Sequence, residues 1–402
     1  MTKPRIFINM HYMELGGAER ALLGLLNAFD TSRVDVDLFL NQHTGDFMPL
    51  IPNKINLLPE RRGYNAIERP MTQILREGQL GVALGRLKAR RLNKKYHESL
   101  RDQAKSLDNS GFHYVSHCVQ PYLPSLDDLG EYDLAISFLQ PHHIVLNKVR
   151  AKKRIAWIHT DYSAIHVNAP MELPVWDGYD YIASISPECT RSFLKTFPSL
   201  ESKIIEIENI LSTSFVRHQA ALQDVSQEMR KPGFNILSVG RYCHAKNYDN
   251  VPDITRRLVD KGFNDLRWYI IGFGGDEPLI RQRIAEAGME EHVILLGKKD
   301  NPYPYIKACD VYAQPSRYEG KSVTVREAQV LCKPVIVANY TTVKSQIQDG
   351  VDGVIVPQDN EGCAQGMARV IGDAHLLNSL STYLSTHDYG NEKEVEKIDQ
   401  LL

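Results

Sequence analysis

The stretch FNILSVGRYCHAKNYDNV, residues 234–251, joins a short apolar run to a polar loop through Gly240. A continuous apolar run of this length, bounded by turn residues, is typical of a strand buried in a parallel sheet. The loop that follows carries two cations, Arg241 and Lys246, five positions apart. Because functional loops lie at the carboxyl ends of parallel strands, this stretch predicts both an α/β fold and a ligand-binding loop.

Similar apolar runs recur along the chain with helical stretches between them, which predicts repeated βα units and two parallel sheets. The runs of the first half are RIFINM, VDVDLFL, YDLAISFL, KRIAWIH and YIASIS, and those of the second half are FNILSVG, LRWYIIG, HVILLG, DVYAQPS and KPVIVA. A chain of 402 residues also exceeds the usual size of one domain. The polar stretch 211–234 separates the two series, so we predict domains at 1–212 and 213–385, followed by a helix at 386–402.

Composition bounds the class of protein. The chain is 43% hydrophobic and 24% charged with a net charge of −2, which is ordinary for a globular protein and gives no reason to expect nucleic acid as a partner. The six cysteines form no Cys-x-x-Cys pair, which disfavours a disulfide framework and a structural zinc site. No secretory signal and no apolar run of roughly 18 residues stand out. We therefore expect reduced, mostly buried thiols and a cytoplasmic location.

Residues 74–105 interrupt the βα rhythm and predict a basic helical insertion in the first domain. Leu80, Leu84 and Leu87 recur at helical spacing, and the stretch 86–95 carries six cations and no acidic residue. A basic amphipathic helix is typical of a surface that meets anionic lipid or a phosphate-bearing acceptor. A solvated helix face explains the same pattern, so peripheral membrane contact through residues 86–95 stays a hypothesis.

The stretch YEGKSVTVRE, residues 318–327, contains two glutamates separated by seven residues. It reads as a loop followed by a helix that begins between 321 and 323, which places Glu319 on the loop and Glu327 on the helix. Eight helical steps would separate them by about 12 Å, more than the roughly 5 to 9.5 Å between the carboxylates of a glycosidase. The pair therefore suits two contacts with a long ligand. Alternatively, Glu319 caps the helix and Glu327 is a surface charge.

Two other loops suit an anionic ligand. Arg241 and Lys246 project from one loop, which fits a diphosphate, although a solvated loop explains them too. Gly16 and Gly17 lie at a strand-to-helix turn, where backbone N–H groups could approach an anion, although glycines are also common in tight turns.

Two further motifs fail as ligand sites. The run of glycines at 272–275 follows a strand, but Glu277 departs from the dinucleotide fingerprint, so we interpret it as a βα turn and not as a dehydrogenase site. The Asp-Val-Asp at 35–37 lies inside a predicted strand and indicates strand patterning, so the sequence predicts no metal-binding motif.

Taken in order, GGAER near the start, VGR followed by Lys-Asn, and the two spaced glutamates resemble the retaining GT-B glycosyltransferases of family 4. SRYEGKSVTVREAQ is similar to members that build capsules, O-antigens and other surface polysaccharides. The resemblance covers nearly the whole chain. It implies two Rossmann-like domains facing each other across a cleft, the first on the acceptor side and the second binding the donor. It also implies that the helix at 386–402, with Val395, Ile398, Leu401 and Leu402 at helical spacing, packs back on the first domain.

The resemblance implies roles for particular residues. Arg241 and Lys246 would hold the donor diphosphate, Glu319 would contact the transferred sugar, and Glu327 would bond the ribose. His159, which ends a strand in WIHTDY, would line the sugar pocket as a neutral imidazole, although a lone histidine there is also common as a packed structural group. The remaining positions implied for donor binding are Gly16, Gly17, Gly297, Lys298, Gly320, Lys321, Ser322 and Val323. Lys321 replaces an apolar residue of many relatives, which leaves the donor's identity open.

The implied reaction moves a sugar from a UDP- or GDP-linked donor to a hydroxyl of a glycan or lipid-linked acceptor, with retention of configuration. Since fixed cations and a helix terminus would stabilise the leaving diphosphate, we expect no metal and no cofactor. A catalytically silent nucleotide-sugar-binding scaffold subunit and a nucleotide-sugar epimerase of the same architecture are the alternatives. The retained Arg, Lys and Glu set disfavours the scaffold, and the sequence offers no evident acid–base pair for an epimerase.

Overall fold

The computed structural model describes residues 3–14, 16–100, 107–108, 110–163, 165–229 and 232–402. The chain divides into two compact units, the first formed by Met1–Ile210 with Lys393–Leu402 and the second by Leu211–Glu392. Residues 101–105, the end of the predicted helical insertion, and residues 230 and 231 of the polar stretch lie outside the described residues.

The first unit contains a parallel sheet. Among the described residues its seven strands follow the order β3-β2-β1-β5-β6-β8-β9, and β4 pairs with β7 separately. The strands are β1 (Arg5–Met10), β2 (Asp35–Leu40), β3 (Asn56–Leu57), β4 (Leu107–Asp108), β5 (Tyr132–Ser137), β6 (Ala151–Ile158), β7 (Ile165–His166), β8 (Tyr181–Ser184) and β9 (Ile204–Glu206). The helices that precede the second unit are α1 (Gly17–Ala28), α2 (Met71–Arg76), α3 (Leu80–Ser99), α4 (Ser110–Val119), α5 (His143–Lys148), α6 (Ala169–Asp177) and α7 (Pro187–Thr196).

The second unit contains another parallel sheet. In the described part of this unit six strands follow the order β12-β11-β10-β13-β14-β15. They are β10 (Phe234–Val239), β11 (Leu266–Ile271), β12 (Val293–Gly297), β13 (Val311–Gln314), β14 (Val335–Ala338) and β15 (Val354–Val356). The helices are α8 (Thr213–Gln219), α9 (Val251–Asp260), α10 (Glu277–Ala287), α11 (Tyr303–Ala308), α12 (Val323–Val330), α13 (Asn360–Ile371) and α14 (Ala374–Thr386). The prediction of two parallel-sheet α/β domains is confirmed.

Both faces of each sheet are buried, which is why the strands read as continuous apolar runs. Along β1, Ile6 and Ile8 belong to the core on one face and Phe7 to the core on the other. Along β10, Ile236 and Leu237 divide in the same way between two cores. The alternation follows from the two-residue period of a strand.

Each sheet changes winding direction at one point. In the first unit β1 lies between β2 and β5, and in the second β10 lies between β11 and β13. Connections on the two sides of such a point run away from each other, which leaves a crevice outside the carboxyl ends of the two strands. Ligands of open α/β sheets bind in this crevice, so the residues after β1, β5, β10 and β13 are the first to consider.

The C-terminal segment differs from the predicted helix at 386–402. Helix α14 already ends at Thr386, and the segment forms only a 3₁₀ turn (Glu392–Val395) and a one-turn helix, α15 (Glu396–Asp399). Asp388 Oδ1 accepts from the Gly390 N–H two residues later, a local bond that competes with helix formation, and Asn391 Oδ1 accepts from the distant Leu211 N–H. Ile398 is nonetheless buried in the core of the first unit, with Val395, Leu401 and Leu402 packed against that core.

The insertion is helical, as predicted, although Gly78 with φ +67° separates α2 from α3. All six cysteines are free thiols, and four of them are buried, as predicted. None of the helices in the described ranges is long and apolar enough to cross a membrane.

Candidate functional site

The winding-change point of the second unit joins the two predicted loops. Lys246 in the loop after β10 lies with its Nζ 2.5 Å from Oε1 of Glu319 in the loop after β13. Each side chain is mostly but not fully buried. The fold therefore brings together a cation and a carboxylate that are 73 positions apart in sequence.

The Glu319 carboxylate is fixed by two residues that the sequence analysis did not select. Gln314 Nε2 and Ser316 Oγ donate to Oε1 of Glu319 at 2.8 and 2.6 Å. Gln314 is fully buried, and its own oxygen accepts from Tyr312 Oη at 2.8 Å. The sequence feature that could have identified them is the pair of polar residues, Gln314 and Ser316, at the carboxyl end of the otherwise apolar strand in DVYAQPS.

The glycine run after β11 supports the loop that carries Arg241. A Cβ on Gly272 would lie 1.9 Å from the carbonyl oxygen of Gly240, and one on Gly274 would lie 2.3 Å from that of Tyr242. Tyr242 N–H donates to the Phe273 carbonyl at 2.8 Å. The run is thus a βα turn, as predicted, and its glycines permit this close packing. Arg241 itself is exposed and has no hydrogen bond or ion pair with any residue in the described ranges.

Helix α12 begins at Val323, inside the predicted interval, with Ser322 as its N-cap. Gln346 clamps this cap: its Oε1 accepts from Ser322 N–H at 3.0 Å, and its Nε2 donates to the Ser322 carbonyl at 2.6 Å. Gly320 and Lys321 lie half-buried in the loop between Glu319 and the cap. Of the backbone groups predicted to bind the donor, those of Ser322 are therefore already hydrogen-bonded to the Gln346 side chain.

Glu327 is fully buried and its Oε1 accepts from Tyr303 Oη at 2.8 Å. The alternative of a surface charge at Glu327 is therefore wrong. A buried carboxylate needs polar partners that offset its desolvation, and Tyr303 is one of them. The cap alternative for Glu319 is wrong as well, since Ser322 occupies the N-cap. Contact between Glu327 and a ribose stays a prediction.

Gly297 and Lys298 lie beside the same loops. Gly297 ends β12 with φ +69°, and its carbonyl accepts from Gly272 N–H at 2.9 Å. Lys298 is exposed with its Nζ 5.1 Å from the centroid of the Phe273 ring. The loops after β10, β11 and β12 are thus linked to one another, and the loop after β13 joins them through Glu319.

Gly16, Gly17 and His159 belong to the first unit. A Cβ on Gly16 would lie 2.0 Å from a carboxylate oxygen of the buried Glu19, whereas Gly17 has no neighbour within 4 Å. The Glu19 carboxylate thus occupies the space beside the Cα of Gly16. Gly17 keeps open space beside its Cα, and the donor-binding role of both remains a prediction.

His159 follows β6, and its ring lies 4.6 Å from that of Phe138, centroid to centroid. Burial lowers the pKa of His159 to about 4, although a hydrogen bond with the Phe138 backbone opposes the shift. The imidazole is therefore neutral at pH 7, as predicted. Its Nε2 is buried and has no hydrogen-bond partner in the part of the chain that the structure describes. Such a nitrogen could meet a ligand hydroxyl.

The described residues contain no group of three or more His, Cys, Asp or Glu side chains arranged to hold a metal ion. The Asp-Val-Asp run lies in β2, as predicted, and Asp37 accepts hydrogen bonds from Tyr132 Oη at 2.6 Å and Asn56 Nδ2 at 2.7 Å. These contacts give Asp37 a structural role.

The two sheets and their connections define the class of fold. HepE of Anabaena, solved in complex with UDP and glucose, aligns with 99% of this chain and 98% of its own length, with a TM-score of 0.70 and 15% identity. A variant of S. aureus TarM, solved with Fondaparinux, alpha-GlcNAc-glycerol and UDP, covers 99% of both chains with a TM-score of 0.67 and 12% identity. At such low identity the likeness concerns the fold, which is the predicted GT-B fold.

A family model matches most of the second unit. Residues 223–385 match the family model described as Glycosyl transferases group 1. The chain therefore carries a glycosyl transferases group 1 domain, and this domain contains Arg241, Lys246, Glu319 and Glu327.

Curated relatives belong to bacterial glycan synthesis by name. The chain is 32% identical to the N-acetylgalactosamine-N,N'-diacetylbacillosaminyl-diphospho-undecaprenol 4-alpha-N-acetylgalactosaminyltransferase of Campylobacter jejuni, over 45% of this chain and 46% of that protein. It is 24% identical to the amylovoran biosynthesis glycosyltransferase AmsD of Erwinia amylovora, over 46% of this chain and 52% of that protein. The chain thus spans about half the length of the curated relatives it matches.

Proposed function

We propose that the protein is a retaining glycosyltransferase of family 4 that moves a sugar from a nucleotide diphosphate sugar to an acceptor hydroxyl in surface polysaccharide or glycolipid synthesis. The observation that carries the proposal is the ion pair between Lys246 and Glu319 at the winding-change point of the second unit. The family match of the same unit and the glycan-synthesis names of the relatives support it.

The ion pair offers both groups that a nucleotide sugar needs. Cleavage of the anomeric bond leaves negative charge on the diphosphate and positive charge on the sugar, so fixed cations lower the barrier. On donor binding, Lys246 would exchange Glu319 for the diphosphate, and the freed oxygen of Glu319 would accept from sugar hydroxyls. The exposed guanidinium of Arg241 would add a second cation to the diphosphate.

The proposed stereochemistry is retention without a carboxylate nucleophile. Glu319 is bonded to three donors through Oε1, which suits a hydrogen-bonding role and not attack on carbon. The departing phosphate oxygen would take the proton of the acceptor hydroxyl on the same face of the sugar. The protein would use no cofactor and no metal, so EDTA should leave turnover unchanged.

A UDP-linked donor is the first candidate. UDP was bound in the structures of HepE and TarM, and the Campylobacter jejuni relative transfers N-acetylgalactosamine according to its name. Thermal shift with a panel of UDP and GDP sugars should give stabilisation by UDP sugars above that by GDP sugars. A transfer assay with a diphosphate-linked polyprenyl glycan should then produce an α-linked product. Stabilisation without turnover on any acceptor would favour the silent scaffold, and conversion of the donor without acceptor would favour the epimerase.

We also propose peripheral contact of α3 with an anionic membrane, where a lipid-linked acceptor would lie. Leu80, Leu84 and Leu87 are 60%, 58% and 54% exposed, so the leucine stripe faces outwards. Arg91 and Lys94 continue the same face one and two turns later, and Arg91 has no ion pair among the described residues. Exposed leucines beside cations suit the interface of an anionic bilayer. The predicted cytoplasmic location, on the inner face of the membrane, belongs with this proposal.

Vesicle flotation tests the membrane contact. Vesicles with phosphatidylglycerol should retain the wild-type protein, whereas Arg90→Gln with Arg91→Gln should weaken retention, since each cation near an anionic surface contributes about 1 kcal/mol. The matched control is Arg281→Gln with Arg283→Gln, on the exposed face of α10. Equal retention of both double variants would contradict the proposal.

A further inference from the structure

The first unit has a cavity at its own winding-change point. The cavity has a volume of about 230 Å³, and its wall includes His11 after β1, Asn41 after β2 and Pro141 after β5. Helix α3 of the insertion and helix α4, which follows the insertion, close it with Arg86 and Phe112. Binding sites for drug-sized ligands measure roughly 300–1,000 Å³, so this cavity suits a single ring.

The polar part of the wall carries both a carboxylate, Glu68, and a guanidinium, Arg86. His11 Nδ1 lies 2.7 Å from Glu68 Oε1, and Glu68 is close enough to Arg86 to interact with its charge. Arg86 Nη1 also donates to the carbonyls of Ala66 and Arg69. The guanidinium is thus held in place, and Arg86 and Glu68 give the wall one formal charge of each sign, so the cavity offers hydrogen bonds without a surplus of positive charge. An uncharged, hydroxyl-rich ligand fits this wall better than a phosphate does.

The other part of the wall is apolar. Ile67, Val115, Pro141 and Ile144 form it together with Phe112, an aromatic side chain that is 63% exposed. An exposed phenylalanine at the rim of a cavity is a candidate contact surface, because its face can cover C–H groups of a ligand. A sugar ring presents an apolar C–H face and an edge of hydroxyls, which matches an aromatic wall opposite a polar one.

We propose that this cavity binds one uncharged sugar residue of the acceptor, with Phe112 against the C–H face of the ring and the His11–Glu68 pair at its hydroxyls. With Nδ1–H donated to Glu68, Nε2 of His11 accepts from a hydroxyl. The inference rests on the proposed function, since it names the part of the acceptor that the first unit recognises.

Saturation-transfer NMR of the whole chain tests the site with methyl glycosides of glucose, galactose, mannose, N-acetylglucosamine and N-acetylgalactosamine. At least one should bind the wild type, and methyl glucuronide should bind more weakly than methyl glucoside. Phe112→Ala should weaken binding by at least about fivefold, because it removes the aromatic surface. Glu68→Gln should weaken it as well, since the amide no longer holds His11 in one tautomer.

Tyr122→Ala is the matched control, because Tyr122, shortly after α4, is also a partly exposed aromatic residue but does not line the cavity. Binding of UDP, measured on the same samples, separates the two proposals. If UDP binds but no glycoside does, or if Phe112→Ala binds as well as Tyr122→Ala, the cavity proposal is overturned and the proposed function stands. If no nucleotide binds, the proposed function fails independently of the glycoside result.

Discussion

Glu319 would contact the donor sugar, and its orientation depends on residues that lie behind it. Gln314 and Ser316 donate to the same carboxylate oxygen as Lys246 does. Tyr312 in turn donates to Gln314, so a chain of buried hydrogen bonds leads from the strand to the carboxylate. In a low-dielectric site such bonds strengthen one another, so each of them contributes to holding the carboxylate in place.

Gln314→Leu should therefore lower turnover without removing any group that touches the donor. The variant loses a hydrogen bond to a charged group, which contributes about 1.5–3 kcal/mol, so kcat/KM should fall by at least about tenfold. Gln365→Leu is the control, because Gln365 makes a similar bond to Glu361 on an exposed helix face. Steady-state kinetics with a UDP sugar measures both, and equal rates would show that Gln314 does not position Glu319.

Elements that depend on local pattern were predictable from the sequence. The run RIFINM matches β1 because a strand buried on both faces needs apolar residues at every position. The start of α12 was predictable for a similar reason, since the polar loop before it changes into an apolar helix pattern. Contacts between residues far apart in sequence could not be predicted from local pattern. Lys246 meets Glu319 only because β13, which precedes the loop of Glu319, lies beside β10, although β11 and β12 separate the two strands in sequence.

The exposed leucines of α3 illustrate another limit of pattern. Helical spacing places Leu80, Leu84 and Leu87 on one face but does not say whether that face is buried. Small residues decide the matter: a Cβ on Gly85 would lie 2.8 Å from the Cys118 carbonyl oxygen, so the glycine side of α3 packs closely against α4. The leucines therefore point away from that contact.

The C-terminal segment should stabilise the first unit through one residue. Ile398 is fully buried in the core of that unit. Ile398→Ala should lower the free energy of unfolding by about 2–5 kcal/mol, as buried isoleucine truncations do. Leu222→Ala, at a residue that is 58% exposed, should change it by less than about 0.5 kcal/mol. Urea denaturation compares them, and a small effect of Ile398→Ala would mean that the segment does not hold to the unit.

At the scale of the molecule, buried histidines should make stability depend on pH. Burial, together with the nearby His113 and His117, lowers the pKa of His143 to about 3. An unfolded chain binds protons at its histidines below about pH 6.5, whereas the folded chain keeps this one neutral. The stability that the neutral His143 contributes is therefore fully present above pH 6.5 and is lost as the pH falls towards 3. The loss amounts to about 2 kcal/mol at pH 5.

His143→Phe removes this proton binding, so the variant should lose less stability between pH 7 and pH 5 than the wild type does. The exposed His375→Phe serves as the control and should follow the wild type. Urea midpoints at the two pH values provide the comparison. An identical pH dependence in His143→Phe and in the wild type would contradict the assignment.

The central claim is that Lys246 and Glu319 form the donor site of a glycosyltransferase. Isothermal titration calorimetry with UDP on the wild type, Lys246→Ala and Arg241→Ala tests it most directly. Each substitution removes a charge-assisted contact of about 1.5–3 kcal/mol, so affinity should fall at least about tenfold in both variants, with turnover falling by a similar factor. Arg281→Ala, on the exposed face of α10, should bind UDP as the wild type does. Unchanged affinity and turnover in Lys246→Ala and Arg241→Ala would contradict the claim.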